Sequence, residues 1–132
     1  METKRIFIVD DNEELARVIQ HMLEDEGFEV KLAKDVQDGY WAFLEFKPDL
    51  VITDIQMPGG NGLELMEHIR MVDPTVRTIY MSGDFSSFWW PLEEERERYP
   101  VSLLEKPFCK DELMKLVSAW QPNSNKCNGR SR

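Results

Sequence analysis

Five short apolar runs, separated by stretches of helical periodicity, constrain this chain more than any other feature. Strands that alternate with helices build a parallel sheet covered on both faces. The runs are Arg5 to Val9, Glu29 to Leu32, Leu50 to Thr53, Val76 to Met81 and Val101 to Leu104. Leu50 to Thr53 (LVIT) is almost wholly apolar, as a central strand buried on both faces requires. Between the runs, apolar residues recur three and four apart, which gathers them on one side of a helix. The first such face holds Leu15, Val18, Ile19, Met22 and Leu23, and the second Val36, Tyr40, Phe43 and Leu44. Leu63, Met66, Ile69 and Val72 form the third, and Leu113, Met114, Leu116, Val117 and Trp120 the last. Asp11 or Asn12 suits the N-cap of the first helix, with Glu13 and Glu14 at the positive end of its dipole. Gly27 closes that helix and Pro48 ends the second. The expected fold is α/β: a flavodoxin-like, doubly wound, five-stranded parallel sheet of order 2-1-3-4-5 with helices on both faces.

A chain of 132 residues has room for one such core. Residues 1–120 are expected to form the domain, and residues 121–132, ending in the polar NSNKCNGRSR, a disordered tail or the start of a linker. The 25 acidic residues against 16 basic ones give a net charge of -9, which argues against a nucleic-acid surface. Cys109 and Cys127 have no second cysteine or histidine at metal-ligand spacing, and suit a reducing compartment. No apolar stretch approaches signal-peptide length or the ~20 residues of a membrane span, so a soluble, cytoplasmic protein with no membrane partner is expected.

Doubly wound sheets gather the residues just beyond their strand ends into one crevice. Here Asp10 and Asp11 come after the first strand, Asp54 after the third, Ser82 and Gly83 after the fourth, and Lys106 and Pro107 after the fifth. Adjacent aspartates behind a buried strand lose hydration and repel each other unless a cation sits between them; the alternative is a helix N-cap with an acidic first turn. Asp54 has no local capping task, and its strand neighbours the first one in the expected order. Three carboxylates in one crevice favour a hard divalent cation such as Mg²⁺. An aspartate is also a nucleophile toward phosphorus, forming an acyl phosphate. Taken singly, Ser82 reads equally well as a turn residue and Lys106 as a solvated surface lysine. Together they supply the hydroxyl and the fixed positive charge that a phosphoryl group on Asp54 requires. Gly83 permits close backbone approach. Lys106-Pro107 is a candidate cis bond that would set the direction of the lysine side chain.

The stretches IFIVDDNEEL, DLVITDIQMPGGNGLEL, YMSG and LLEKPF, spread from Lys4 to about Trp120, resemble the receiver domain of the two-component response-regulator family. The resemblance implies that Asp54 is the phospho-acceptor. It implies Asp11, Asp54 and the Gln56 main-chain carbonyl as direct Mg²⁺ ligands, with Asp10 acting largely through water. Ser82 and Lys106 would contact the phosphoryl oxygens. The donor would be a phosphohistidine on a sensor histidine kinase or a histidine phosphotransfer protein. The domain would be a signalling phospho-acceptor, with self-phosphorylation and autodephosphorylation as its only catalysis. His21 and His68 read as helix-surface residues. Output would pass through the face made by the fourth helix, fifth strand and fifth helix, to a downstream effector or a second copy.

Two features depart from that pattern. The position three before Lys106, where receivers carry an aromatic residue that turns inward on phosphorylation, is Leu103. Gln56 and Asp84, two residues beyond Asp54 and Ser82, stand where this family tunes acyl-phosphate hydrolysis. The fourth helix is expected to be short, about two turns, beginning with Pro91 at its first position and ended by Tyr99-Pro100. Phe88, Trp89 and Trp90 before it are expected to pack over the sheet edge, with an exposed partner patch as the alternative. Two rival classes are a haloacid-dehalogenase-type phosphohydrolase, which needs Asp-x-Asp after the first strand, and a pseudo-receiver that serves only as an interaction module. The first lacks its motif here, and a pseudo-receiver would usually have lost one of the acidic or lysine positions.

Overall fold

The structure, a computed structural model, describes residues 4–57 and 59–119. Strands β1 (Arg5–Val9), β2 (Glu29–Ala33), β3 (Leu50–Asp54), β4 (Arg77–Ser82) and β5 (Val101–Glu105) form one sheet. All pairs are parallel and the order is β2-β1-β3-β4-β5, the expected one. Helices α1 (Glu13–Asp25), α2 (Val36–Phe46), α3 (Gly62–Val72), α4 (Trp89–Arg98) and α5 (Lys110–Ala119) cover it.

Strand alternation divides the core into two layers. Ile6, Ile8, Ile52, Ile79 and Met81 face Ile19 and Leu23 of α1 and Leu113 and Val117 of α5. On the opposite face, Phe7, Val9, Val51 and Tyr80 meet Phe43 of α2, Leu65, Met66 and Ile69 of α3, and Leu92 of α4. Every residue of β3 and β4 is buried, as strands covered on both faces must be. Helix ends obey local chemistry. Lys47 in the left-handed region (φ 53°) terminates α2 ahead of Pro48, and Gly27 (φ 97°) lies just past the end of α1. At the foot of β4, Arg77 is buried and donates to the Leu116 and Val117 carbonyls (2.9 and 3.1 Å), satisfying the last turn of α5.

The structure corrects several expectations. Val18 and Val72 are 48% and 53% exposed, because Ala16 and Leu65 take the inward places on α1 and α3. Asp54 and Ser82 are the last residues of their strands, not the first beyond them. Between β3 and α3, Gln56–Met57 pair with Gly60–Asn61 in a short antiparallel ladder. Helix α4 begins at Trp89, after a 3₁₀ turn at Ser86–Phe88, and runs ten residues. Pro91 is therefore its third residue, tolerated because the first N–H groups of a helix have no intrahelical acceptor. That start rotates Leu92 and Glu95 inward and leaves Trp89 and Trp90 57% and 69% exposed, so only Phe88 packs against the core. Pro58, Trp120, Cys127 and the tail expected over 121–132 lie outside the described residues. Among those described, no helix is long and apolar enough to cross a membrane.

Candidate functional site

The crevice lies at the carboxyl ends of β1, β3, β4 and β5. Asp10 stays in the ladder, its N–H donating to the Ala33 carbonyl at 3.1 Å, and its side chain is fully buried. Its Oδ1 accepts from the Asn12 N–H (2.9 Å), and the Asn12 Oδ1 accepts in turn from Leu15 N–H (3.1 Å). Asn12 is therefore the cap of α1, which leaves the exposed Asp11 without that task. Oxygen atoms of Asp10, Asp11 and Asp54 all lie within 4.8 Å of one another.

Asp54 is held from both sides. The Thr53 hydroxyl donates to the Asp54 carbonyl (2.9 Å), the next N–H, of Ile55, donates to Met81 O (3.1 Å), and Gly62 N–H donates to Ile55 O (2.8 Å). The start of α3 thus presses on the strand end so closely that a Cβ on Gly62 would stand 2.4 Å from the Asp54 carbonyl oxygen. The Asn61 capping box, with Glu64 reciprocating, fixes that approach.

Lys106 closes the crevice. Its N–H donates to Ser82 O (2.8 Å), and its Nζ stands 3.4 Å from Asp10 Oδ2 and 3.5 Å from Asp54 Oδ1. The Lys106-Pro107 bond is cis. The Asp54 pKa is raised to about 6: burial raises it most, Lys106 pulls it down, and Asp10 and Asp11 push it up. A cation set among the three carboxylates relieves that conflict, and all-oxygen donors suit a hard divalent ion, so the residues present fit Mg²⁺.

Ser82 is buried at the head of β4, but its hydroxyl is turned toward the next loop. It donates to Asp84 O (3.0 Å) and accepts from Asp84 N–H (3.1 Å). The exposed Asp84 carboxylate accepts from Ser86 N–H (2.9 Å), and hydrogen bonds from the Ser86 hydroxyl and N–H lower its pKa. Gly83 is open, with nothing within 4 Å of a built Cβ. Gln56 opens the short ladder, exposed, two residues beyond Asp54. Leu103 lies away from the crevice, half-buried against the α3–α4 face of the sheet and in register with Tyr80 of β4. His21 and His68 are exposed on α1 and α3, apart from the carboxylates. A cleft of about 790 Å³ opens between α1, β2 and α2, but only Asp10 of the crevice lines it. Sequence reasoning missed the steric demand on Gly62 and a polar cluster of Arg70, Tyr80 and Glu95; the GGNG run was the one available signal for the first.

The doubly wound parallel sheet places three carboxylates and one ammonium in the crevice at its strand ends, the place where open α/β sheets bind ligands. Among such sheets the chain belongs to the response regulator receiver domain family of two-component systems, whose family model matches residues 6–118. It is 26% identical over 124 residues to sporulation initiation phosphotransferase F of Bacillus subtilis, covering 92% of this chain and 97% of that one. It is 31% identical over 118 residues to the DNA-binding response regulator MtrA of Mycolicibacterium smegmatis, covering 88% of this chain and half of that one. The CheY-like receiver domain protein from Methanospirillum hungatei JF-1 has the same fold, with a TM-score of 0.80, 24% identity and coverage of 95% and 98% of the two chains.

Proposed function

We propose that this domain takes a phosphoryl group onto Asp54 from a phosphohistidine of a sensor histidine kinase or a histidine phosphotransfer protein. The observation that carries this reading is the shared crevice of Asp54, Asp10, Asp11 and Lys106. An Asp54 carboxylate oxygen attacks phosphorus, the new O–P bond forms as the P–N bond to histidine breaks, and the nitrogen keeps the electron pair. Asp10, Asp11, Asp54 and the Gln56 carbonyl would hold Mg²⁺, which when bound neutralises the carboxylates and the phosphoryl oxygens. Lys106 places a fixed positive charge beside the acceptor. The Ser82 hydroxyl supplies a donor once it leaves the Asp84 carbonyl. Pro107 orients Lys106, and the open Gly83 leaves room for the phosphoryl group. The domain acts in the cytoplasm, and its α4-β5-α5 face passes the signal to an effector or a second copy. Leu103 offers no ring for that output, and Asp84 and Gln56 set the phosphoryl lifetime.

Incubation with acetyl phosphate and Mg²⁺ tests the reading. The expected result is a mass increase of one phosphoryl group that is absent from Asp54→Ala. Rapid multiple turnover of small phosphate esters would instead indicate a hydrolase, and no label on the wild-type chain would leave a pure interaction module.

A further inference from the structure

Helix α4 is held to the sheet unlike its neighbours. Leu92 is its one buried residue, and neither α4 nor the preceding 3₁₀ turn has a side-chain cap. One turn beyond Leu92, the Glu95 carboxylate reaches the interior and accepts from the hydroxyl of the fully buried Tyr80 at 2.5 Å. The same Oε1 stands 3.6 Å from Nη2 of Arg70, a guanidinium only 4% exposed. Arg70 is itself fastened to the α3–β4 side. Nη1 donates to Val76 O (3.2 Å), Nη2 donates to Thr78 Oγ1 (2.8 Å), and Tyr99 covers the group at 4.3 Å. Its Nε is buried and has no hydrogen-bond partner among the described residues.

That arrangement gives Glu95 two seats. In the present one it takes the Tyr80 hydroxyl. In the other it forms a two-bond fork with Nε and Nη2, satisfying the orphaned donor that the present one leaves bare. One seat leaves the Arg70 Nε bare and the other the Tyr80 hydroxyl, an exchange of like penalties that keeps the two seats close in free energy. Helix α4 carries Glu95, so a change of seat pulls on a helix in which Leu92 alone is buried.

We propose that the Arg70–Tyr80–Glu95 cluster is a two-position latch for α4, and that the Ser82 hydroxyl works it. This rests on Asp54 as the phospho-acceptor. Ser82 has one hydroxyl proton, now given to Asp84 O. Donating it to a phosphoryl oxygen on Asp54 releases the Asp84 carbonyl, and with it the 84–88 segment that leads into α4. Tyr80 and Ser82 project from the same face of β4, so the freed loop and the Glu95 seat move against one strand. Leu103, across the register from Tyr80, adds apolar packing but no polar hold.

Two substitutions push the latch in opposite directions. Tyr80→Phe removes the present seat while keeping the ring. Arg70→Lys keeps the charge but removes the fork. Backbone amide shifts of residues 89–98 are compared with and without beryllofluoride and Mg²⁺, and Asp54 labelling by acetyl phosphate is monitored by mass in parallel. The expected result is that unlabelled Tyr80→Phe already shows the α4 shifts that beryllofluoride produces in the wild type, whereas Arg70→Lys labels on Asp54 without moving α4. If the Tyr80→Phe amides match those of the unlabelled wild type, or Asp54 labels in the wild type while α4 stays still, the latch is refuted with the acceptor reading intact. If the wild type takes no label, the acceptor reading fails, and the latch, which rests on it, falls with it. Where Arg70→Lys does not fold, the Tyr80→Phe arm suffices.

Discussion

Gly62→Ala tests how Asp54 is positioned. The added methyl would stand 2.4 Å from the Asp54 carbonyl oxygen, 3.0 Å from Thr53 Oγ1 and 3.2 Å from Thr53 Cγ2, whereas real Cβ atoms essentially never come within 3.0 Å of a neighbour. The obstacle is backbone, at the junction of a buried strand and the first turn of α3, and no side chain can swing aside. Strand end and helix start must part by at least about 0.6 Å, straining the 2.8 Å bond from Gly62 N–H to Ile55 O. Overpacking of this kind costs about 1–3 kcal/mol, and the smaller entropy of the alanine chain when unfolded returns up to about 1. A net loss of about 1–2 kcal/mol is expected, read as a lower urea midpoint at unchanged slope. Because the displaced atoms belong to Asp54, acetyl phosphate labelling should slow by roughly ten-fold or more. Gly83→Ala is the control: its Cβ meets nothing within 4 Å, so the unlabelled stability should stay within about 0.5 kcal/mol of wild type. A Gly62→Ala protein as stable as wild type, labelled at the wild-type rate, would refute the reasoning.

Two other outcomes concern the same crevice. Asp54 has a raised pKa in the metal-free fold, 3.8 to about 6, so its contribution to stability is full below about pH 4 and is lost as pH rises through about 6. In EDTA at pH 7.5, Asp54→Asn should therefore be more stable than wild type by about 1–3 kcal/mol, with the gap closing below pH 4 and shrinking when Mg²⁺ is added; an Asn variant less stable than wild type in EDTA at pH 7.5 overturns the assignment of a strained carboxylate. Asn61→Ala removes the capping box at the start of α3 and should cost about 1 kcal/mol in urea unfolding; an unchanged midpoint would mean that the ladder alone holds the approach to Asp54.

The sheet was legible because burial on both faces leaves an unbroken apolar run, as in Leu50 to Thr53, and because Gly27 and Pro48 mark their helix ends by backbone chemistry alone. The crevice was legible for a related reason: in a parallel sheet, position after a strand is position in space, so Asp10, Asp54 and Lys106 could be placed together from residue order. Helix faces were read less sharply. Apolar periodicity admits Val18 as readily as Ala16, and packing decides between them. Arg70 illustrates a harder case: a charged residue on an amphipathic helix reads as solvent-facing, and only the three-dimensional approach of Thr78, Glu95 and Tyr99 makes its burial tolerable. The start of α4 was missed because proline is permitted anywhere in the first turn, and Pro91 was assigned to its first place.

Arg77 gives β4 a second fastening. The strand begins with a guanidinium gripping the last carbonyls of α5 and ends, after six residues, with Ser82 in the crevice. At about 3.3 Å per residue that is a strut some 17–20 Å long. The last described turn of α5 is thereby moored to the same strand that ends beside Asp54, at the opposite rim of the sheet. The last described turn of α5 and the Asp54 crevice are thus joined by one member, and the distance between the two is set by the length of a single strand.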